Sequence, residues 1–422
     1  MKISIIGGGY VGTVTGVCLA DLGNDVTIVE IDKNKIELIN RGIPPLYEPG
    51  LAELLKENGD RVCATDDIHS AINNTDITFI CVGTPSREDG SIDLSYIESA
   101  AERIGTSIKR KEHYHCVVVK STVIPGTCDT VVAPLISKHS GKTPGIHFSV
   151  CSNPEFLREG RAVYDFFHPD RIILGSEDPA CITMVKELYT PFTCPILECP
   201  VNTGEMIKYV SNSFLALKIS YANEIGNLAK ALGIDSYKVF EGVGLDGRIG
   251  PQFFNAGLGF GGSCFPKDVI ALQRLGEVKG LKMPLLEATL AVNKDQPEKA
   301  ITLLERKISM KGKTIGILGL AFKPDTDDIR EARSINIVSS LILKGAKIIA
   351  YDPLAMDHFK TLFPGITYAS SAQDVIRNSD AVIIVTEWKE FEDLDYSGKI
   401  VVDGRRLLKA RATAAMYEGV CW

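Results

Sequence analysis

The chain has 422 residues, 45% of them hydrophobic and 23% charged, with a formal net charge of −7. That length exceeds one ordinary core, so two or three domains are expected. The negative balance leaves no electrostatic footprint for nucleic acid or an anionic membrane, and no apolar run reaches membrane-spanning length.

Lys2 to Ile6 reads as a short apolar strand, followed by Gly7-Gly8-Gly9-Tyr10-Val11-Gly12. A strand and loop in that place do not read as a signal peptide. A helical segment from Thr13 to Leu22 is closed by Gly23, and a second apolar strand, Asp25 to Ile31, contains Glu30. Gly7, Gly9 and Gly12 thus match G-x-G-x-x-G in full context: strand, glycine turn, helix, strand and an acid about 20 residues on. Gly7 allows the tight turn, Gly9 lets a pyrophosphate approach, and Gly12 lets helix and strand pack. The pyrophosphate would sit at the helix N-terminus. Glu30 would accept hydrogen bonds from a ribose and repel a 2′-phosphate, which favours NAD over NADP.

Further strands are predicted around Ile77–Val82, Cys116–Ser121 and Phe148–Ser152, with helices between, as in a parallel doubly wound sheet. Cys81-Val82-Gly83-Thr84-Pro85 and Lys120-Ser121-Thr122 stand at carboxyl ends of strands, where open α/β sheets bind ligands. Asn153 and Pro154 read as the cap and first residue of a helix that would place Glu155 and Glu159 one turn apart. From Thr203 to Leu232 the pattern changes to one long helix without proline, spanning roughly 45 Å at 1.5 Å per residue. Lys208 and Asn212 share one of its faces.

Gly259-Phe260-Gly261-Gly262-Ser263-Cys264-Phe265-Pro266-Lys267-Asp268 carries the most chemistry. Glycines permit close approach of backbone or substrate. Pro266 suits the first turn of a helix, so the thiol would sit at that helix's N-terminus, where free N–H groups and the dipole favour thiolate. This points to an enzyme that bonds covalently to a substrate carbon. After Lys311-Gly312-Lys313 a second alternation begins, with strands at Thr314–Leu320, Lys347–Tyr351, Ala381–Val385 and Ile400–Val402; its first turn lacks the full glycine fingerprint. Eleven cysteines are scattered without a CxxC pair or Cys/His cluster, so neither a metal site nor a disulfide framework is expected, and a reducing cytoplasm fits.

The chain resembles the UDP-glucose/GDP-mannose dehydrogenase family over essentially its whole length. The resemblance is carried by Tyr47-Glu48-Pro49-Gly50-Leu51, Gly83-Thr84-Pro85, Lys120-Ser121-Thr122-Val123, Asn153-Pro154-Glu155-Phe156-Leu157-Arg158-Glu159-Gly160, Asn212-Ser213-Phe214-Leu215-Ala216, Arg248-Ile249-Gly250, the cysteine loop, and Phe322-Lys323-Pro324 with Arg330. Phe265 and Ser263 favour the UDP-glucose branch, because GDP-mannose enzymes tend to have leucine at the first position and N-acetylhexosamine enzymes histidine at the second. The implied fold is α/β: two doubly wound Rossmann-like domains joined by a long central helix and a helical dimerisation region. Domain limits are expected at 1–200 for NAD binding, 201–305 for the central part with the cysteine loop, and 306–422 for UDP-sugar binding.

The resemblance implies a homodimer that carries out an NAD-linked, four-electron oxidation of C6 of UDP-glucose to UDP-glucuronate. Cys264 would be the nucleophile. Lys208 and Asn212 would stabilise the alkoxide, Asp268 and Thr122 would hold the hydrolytic water, and Glu155 would act near the thioester step. Cofactor contacts are expected from Gly7, Gly9, Tyr10, Val11, Gly12, Glu30, Lys35, Gly83, Thr84, Pro85, Thr122, Glu159, Lys267 and Arg330. Substrate contacts are expected from Phe156, Leu157, Glu159, Lys208, Asn212, Phe253, Gly261, Lys323 and Arg405, and from Arg248 reaching across from a neighbouring subunit. The site is expected in the cleft between domains. Competing readings are the same chemistry on UDP-N-acetylhexosamine or GDP-mannose, a two-electron hydroxyacid dehydrogenase, which needs no thiol, and a non-catalytic scaffold, whose hallmark would be loss of Cys264, Lys208 or Asp268.

Overall fold

The computed structural model describes residues 1–422. Two compact units are present, Met1–Ser211 and Asn212–Trp422. In the first, β1 (Lys2–Ile6), β2 (Asp25–Val29), β3 (Val62–Thr65), β4 (Ile77–Ile80), β5 (His115–Val119), β6 (Phe148–Ser152), β7 (Ile172–Gly175) and β8 (Ile196–Cys199) form one sheet. The spatial order is β3-β2-β1-β4-β5-β6-β7-β8. β4 and β5 are buried along their whole length, as strands covered by helices on both faces must be. The pairing is parallel throughout except between β6 and β7, which meet antiparallel at Ser152 and Gly175. This one reversal departs from the wholly parallel sheet expected from sequence.

The second unit repeats the plan with β9 (Thr314–Leu318), β10 (Lys347–Tyr351), β11 (Thr367–Tyr368), β12 (Ala381–Ile384), β13 (Ile400–Asp403) and β14 (Met416–Gly419). Its order is β11-β10-β9-β12-β13-β14, all parallel. In both sheets the order reverses beside the first strand, which makes a crevice at the carboxyl ends of the strands.

The glycine turn feeds a helix at Tyr10–Asp21, and Gly23, at φ 90°, turns the chain out of it. The long helix runs Val201–Ala231, and the boundary between the units falls within it. Many of its apolar residues stay exposed: Met206, Val210, Phe214, Tyr221 and Leu228 are each at least 40% accessible. No helix is long and apolar enough to cross a membrane.

The expected helix at Asn153-Pro154 does not form. Residues 153–158 are irregular, and the next helix is Ala162–Phe167. A capping side chain must bond the N–H groups that follow it, but Asn153 is used elsewhere: its amide donates to the Ile173 carbonyl at 2.9 Å and accepts from Lys120 Nζ at 3.0 Å and the Tyr189 hydroxyl at 2.6 Å. Glu155 and Glu159 therefore do not share a helix turn.

At the opposite end of β5, His115 is fully buried. Its ring pairs with the Thr78 hydroxyl at 2.7 Å and with Lys111 Nζ at 2.9 Å. Burial first, and then the Lys111 charge, push its pKa down to about 3, so the imidazole is neutral.

Candidate active site

In the first unit the glycine turn shows why each glycine is there. Gly7 has φ 104°, and a Cβ on it would meet the Cys81 carbonyl oxygen at 2.8 Å. A Cβ on Gly12 would lie 1.9 Å from the Gly7 oxygen. Gly9 differs: a Cβ there would meet nothing within 4 Å. Gly9 caps the helix without a side-chain hydrogen bond, so no side chain occupies the first N–H groups. Open space beside uncapped donors at a helix N-terminus fits a pyrophosphate.

Glu30, at the end of β2, closes this turn. One carboxylate oxygen accepts from Gly8 N at 3.0 Å, and the other from Ile31 N at 2.7 Å and Asp32 N at 3.1 Å. The oxygen that takes Gly8 N keeps a second lone pair for a further donor. Val11 is half-buried, and Lys35 lies in the first turn of the helix Lys33–Asn40, whose cap is Asp32. The Tyr10 hydroxyl donates to Glu48, which also accepts from Gly160 N at 2.8 Å and Ala162 N at 2.6 Å. Glu48 is 5% exposed, so this carboxylate pins the turn carrying Glu159 to the cofactor helix.

The ends of β4 and β5 are tied together. Thr84 Oγ1 donates to the Thr122 carbonyl at 2.9 Å, and Ser121 Oγ donates to the Val82 carbonyl at 2.7 Å. Gly83 and Pro85 are exposed beside them. Beyond β6, Glu155 is buried; it accepts from Leu157 N at 2.6 Å and pairs with Lys208 Nζ at 2.9 Å. The Phe156 ring lies 3.7 Å from the Arg171 guanidinium and 5.3 Å from Lys208 Nζ. Both cations hold the ring by its face.

In the second unit Cys264 caps the helix Phe265–Val278, with Pro266 as its second residue. The thiol is exposed, and Ser263 Oγ lies 3.5 Å away. Asp268 follows four residues on, on the same helix face, and is 1% exposed. Its oxygens accept from Asn212 Nδ2 and from Lys267 Nζ, both at 2.6 Å. Both carboxylate oxygens are thereby held in place by donors from two different helices.

The glycines of this loop serve backbone packing. Cβ atoms on Gly259, Gly261 and Gly262 would meet Asn293 Oδ1 at 2.3 Å, the Glu331 carbonyl oxygen at 2.3 Å and the Phe322 ring at 2.8 Å. Phe253 holds φ 67°, uncommon for an aromatic residue, with its ring 6.3 Å from that of Phe265. Lys323 Nζ lies 5.4 Å from the Phe322 ring centre. Arg405 Nε donates to the Val385 carbonyl at 2.7 Å and lies 3.1 Å from Glu387. Arg248 and Arg330 are drawn back onto near neighbours: each guanidinium forks onto the aspartate two residues before it, Asp246 and Asp328.

Arg171 carried no sequence signal, Glu48 stood only within a family motif, and Asn153 was expected as a helix cap, not as the hub it forms. Burial marks Glu48 and Asn153, whose partners lie 20 or more residues away.

Comparison with known proteins agrees with these parts. Residues 1–193 match the NAD binding domain of the UDP-glucose/GDP-mannose dehydrogenase family, 202–295 its central domain and 316–410 its UDP binding domain. The UDP-glucose 6-dehydrogenase AglM of Haloferax volcanii is 45% identical, over 97% of this chain and 98% of its own length. The UDP-glucose 6-dehydrogenase YwqF of Bacillus subtilis is 43% identical, over 100% of this chain and 97% of its own. The solved structure of a UDP-glucose dehydrogenase from the hyperthermophilic archaeon Pyrobaculum islandicum aligns with a TM-score of 0.96 at 47% identity, covering 100% of this chain and 97% of that one. The chain therefore belongs to the UDP-glucose/GDP-mannose dehydrogenase family.

Proposed function

We propose that this chain is an NAD-dependent UDP-glucose 6-dehydrogenase that oxidises C6 of UDP-glucose to the carboxylate of UDP-glucuronate. The observation that carries the reading is Cys264 capping a helix with Asp268 one turn along it, in a chain that also holds a complete dinucleotide turn. A dinucleotide turn alone would serve a two-electron dehydrogenase. The added thiol provides for a second oxidation.

Gly7, Gly9, Gly12 and Glu30 would hold NAD, which when bound supplies a hydride acceptor. Lys208 neutralises the alkoxide formed as the C6 hydroxyl loses its proton, and Asn212 donates to the same oxygen. At the aldehyde level the Cys264 sulfur adds to C6, giving a thiohemiacetal. Loss of the second C6 hydrogen with its electron pair leaves a thioester. Asp268, with Thr122, takes a proton from water as it adds, and the Cys264 sulfur leaves. The alcohol and one water become a carboxylate, four electrons depart, and two NADH and three protons appear. Lys323 and Arg405 would bind the diphosphate. The functional division would be 1–200 for NAD, 201–305 for the thiol and 306–422 for the UDP-sugar.

A homodimer is supported by the exposed stripe Met206, Val210, Phe214, Tyr221 and Leu228, whose spacing is helical and which a second copy would bury. Arg248, with its side chain 89% exposed, would reach a neighbouring subunit's site. A reducing cytoplasm suits a chain whose eleven cysteines are all thiols. The test is product stoichiometry with UDP-glucose. Two NADH per sugar with UDP-glucuronate as product is expected. One NADH with free aldehyde, or faster turnover of GDP-mannose or a UDP-N-acetylhexosamine, defeats the reading. Cys264→Ser is expected to abolish full turnover while leaving NAD binding intact.

A further inference from the structure

The cysteine loop rests on two supports within the second unit. The first is Asn293, on the helix Pro284–Glu305. Its side-chain oxygen accepts from Phe260 N at 2.7 Å, and its amide donates to the Phe260 carbonyl at 3.0 Å. The second is the backbone at Arg330 and Glu331. Gly262 N donates to the Arg330 carbonyl at 2.9 Å, and the Glu331 carbonyl lies where only a glycine at 261 leaves room. Glu331 itself has φ 52°, the left-handed region that a residue with a Cβ adopts only when its surroundings impose it.

Arg333 bonds both supports. Its Nε and Nη2 donate to the Glu331 carbonyl at 3.2 and 2.7 Å, and its Nη1 donates to the Asn293 carbonyl at 3.4 Å. The residue is 6% exposed. It is also the first residue of the helix Arg333–Leu343, the end where the dipole opposes a cation. The nearest carboxylate, Glu331 at 3.5 Å, is itself 64% exposed. Neither ion pairing nor solvation accounts for a cation in this place. Its geometry does, because a planar fork of fixed donors can join two carbonyls from separate segments, which a single ammonium does poorly.

We propose that Arg333 is a positioning residue for Cys264, acting through the Glu331 and Asn293 carbonyls that hold Gly259–Gly262 in place. The inference rests on the reading of Cys264 as the nucleophile. Arg333→Met and Arg333→Lys, made in the full chain, test it. The measurements are kcat, KM for NAD, melting temperature, and iodoacetamide alkylation of Cys264 by peptide mapping, with the exposed Cys63 as internal reference. In Arg333→Met, kcat is expected to fall roughly 10- to 100-fold, as for a misplaced reacting group, with KM for NAD unchanged. The Cys264-to-Cys63 alkylation ratio is expected to shift several-fold, and Arg333→Lys to recover part of both effects. A folded Arg333→Met with wild-type kcat, or with an unaltered alkylation ratio, overturns the proposal. Should Arg333→Met fail to fold, Arg333→Lys decides alone: wild-type kcat or an unaltered ratio there overturns it equally. Full turnover by Cys264→Ser sinks the nucleophile reading instead, and the alkylation ratio still judges Arg333.

Discussion

The six strands of the second sheet repeat the order and parallel pairing of the first six strands of the first sheet, and within that shared plan the turn after the first strand differs. In each, a glycine with positive φ leaves that strand, Gly7 at 104° and Gly319 at 94°. In each, an acid at the end of the second strand accepts from N–H groups of the turn: Glu30 from Gly8, and Asp352 from Leu320 at 2.7 Å and Ala321 at 3.0 Å. The acid thus ties second strand to first turn whether or not a dinucleotide binds. What separates the two is filling. Asp352 is fully buried and also accepts from Trp388 Nε1 at 3.0 Å, Leu354 N at 2.9 Å and Ala355 N at 2.8 Å. Thr386 closes the same turn, donating to the Ala321 carbonyl at 2.7 Å. The first turn keeps its open side at Gly9. An acid and a glycine make the structural joint; only an unfilled turn makes a binding site.

Two sets of variants sharpen this contrast. Asp352→Ala strips acceptors from several buried donors, so it is expected to cost roughly 3–5 kcal/mol in urea unfolding. Glu30→Ala is expected to cost about half of that or less, and instead to raise KM for NAD about tenfold and narrow the preference over NADP. Equal stability losses for the pair would erase the distinction between a sealed and an open turn.

Gly12→Ala forces a Cβ against the Gly7 carbonyl, so a destabilisation of about 1–3 kcal/mol with loss of NAD binding is expected. Gly9→Ala meets no protein atom, so the melting curve should hardly move while NAD affinity falls. A Gly9→Ala protein that binds NAD as well as wild type would place the pyrophosphate elsewhere.

The smallest effect concerns the far end of the first sheet. His115 stays neutral in the fold down to about pH 3, whereas in the unfolded chain it takes a proton near pH 6.5. Above that pH it costs nothing. As pH falls below it the unfolded state binds the extra proton, and stability should drop by up to ~1.4 kcal/mol per pH unit from this residue alone. Urea midpoints across pH 7 to 5 should therefore flatten in His115→Gln. Equal slopes in both proteins would show that the imidazole is not shielded.

Much of this protein follows from residues close together in the chain. The glycine turn, the apolar strands β1, β6 and β10, the long helix, and Cys264 capping a helix with Asp268 four residues on all rest on local rules of period, cap and φ. β3, β8, β11 and β14 went unseen because each is short and partly exposed, so no apolar run marks it, whereas the equally short β4, β12 and β13 lie in buried apolar runs; β7 is buried throughout and was missed without such a reason. Asn153-Pro154 carried a sound capping signal, and tertiary demand on the Asn153 amide overrode it. Only the folded chain decides the pairings within the candidate site: Glu155 with Lys208, Asn212 with Asp268 fifty-six residues away, and Arg333 with the Glu331 and Asn293 carbonyls. The physical reason is reach. Propensity and capping act within about one helical turn, while a buried charge finds its partners only where packing of distant segments excludes water and brings donors or acceptors within bonding distance.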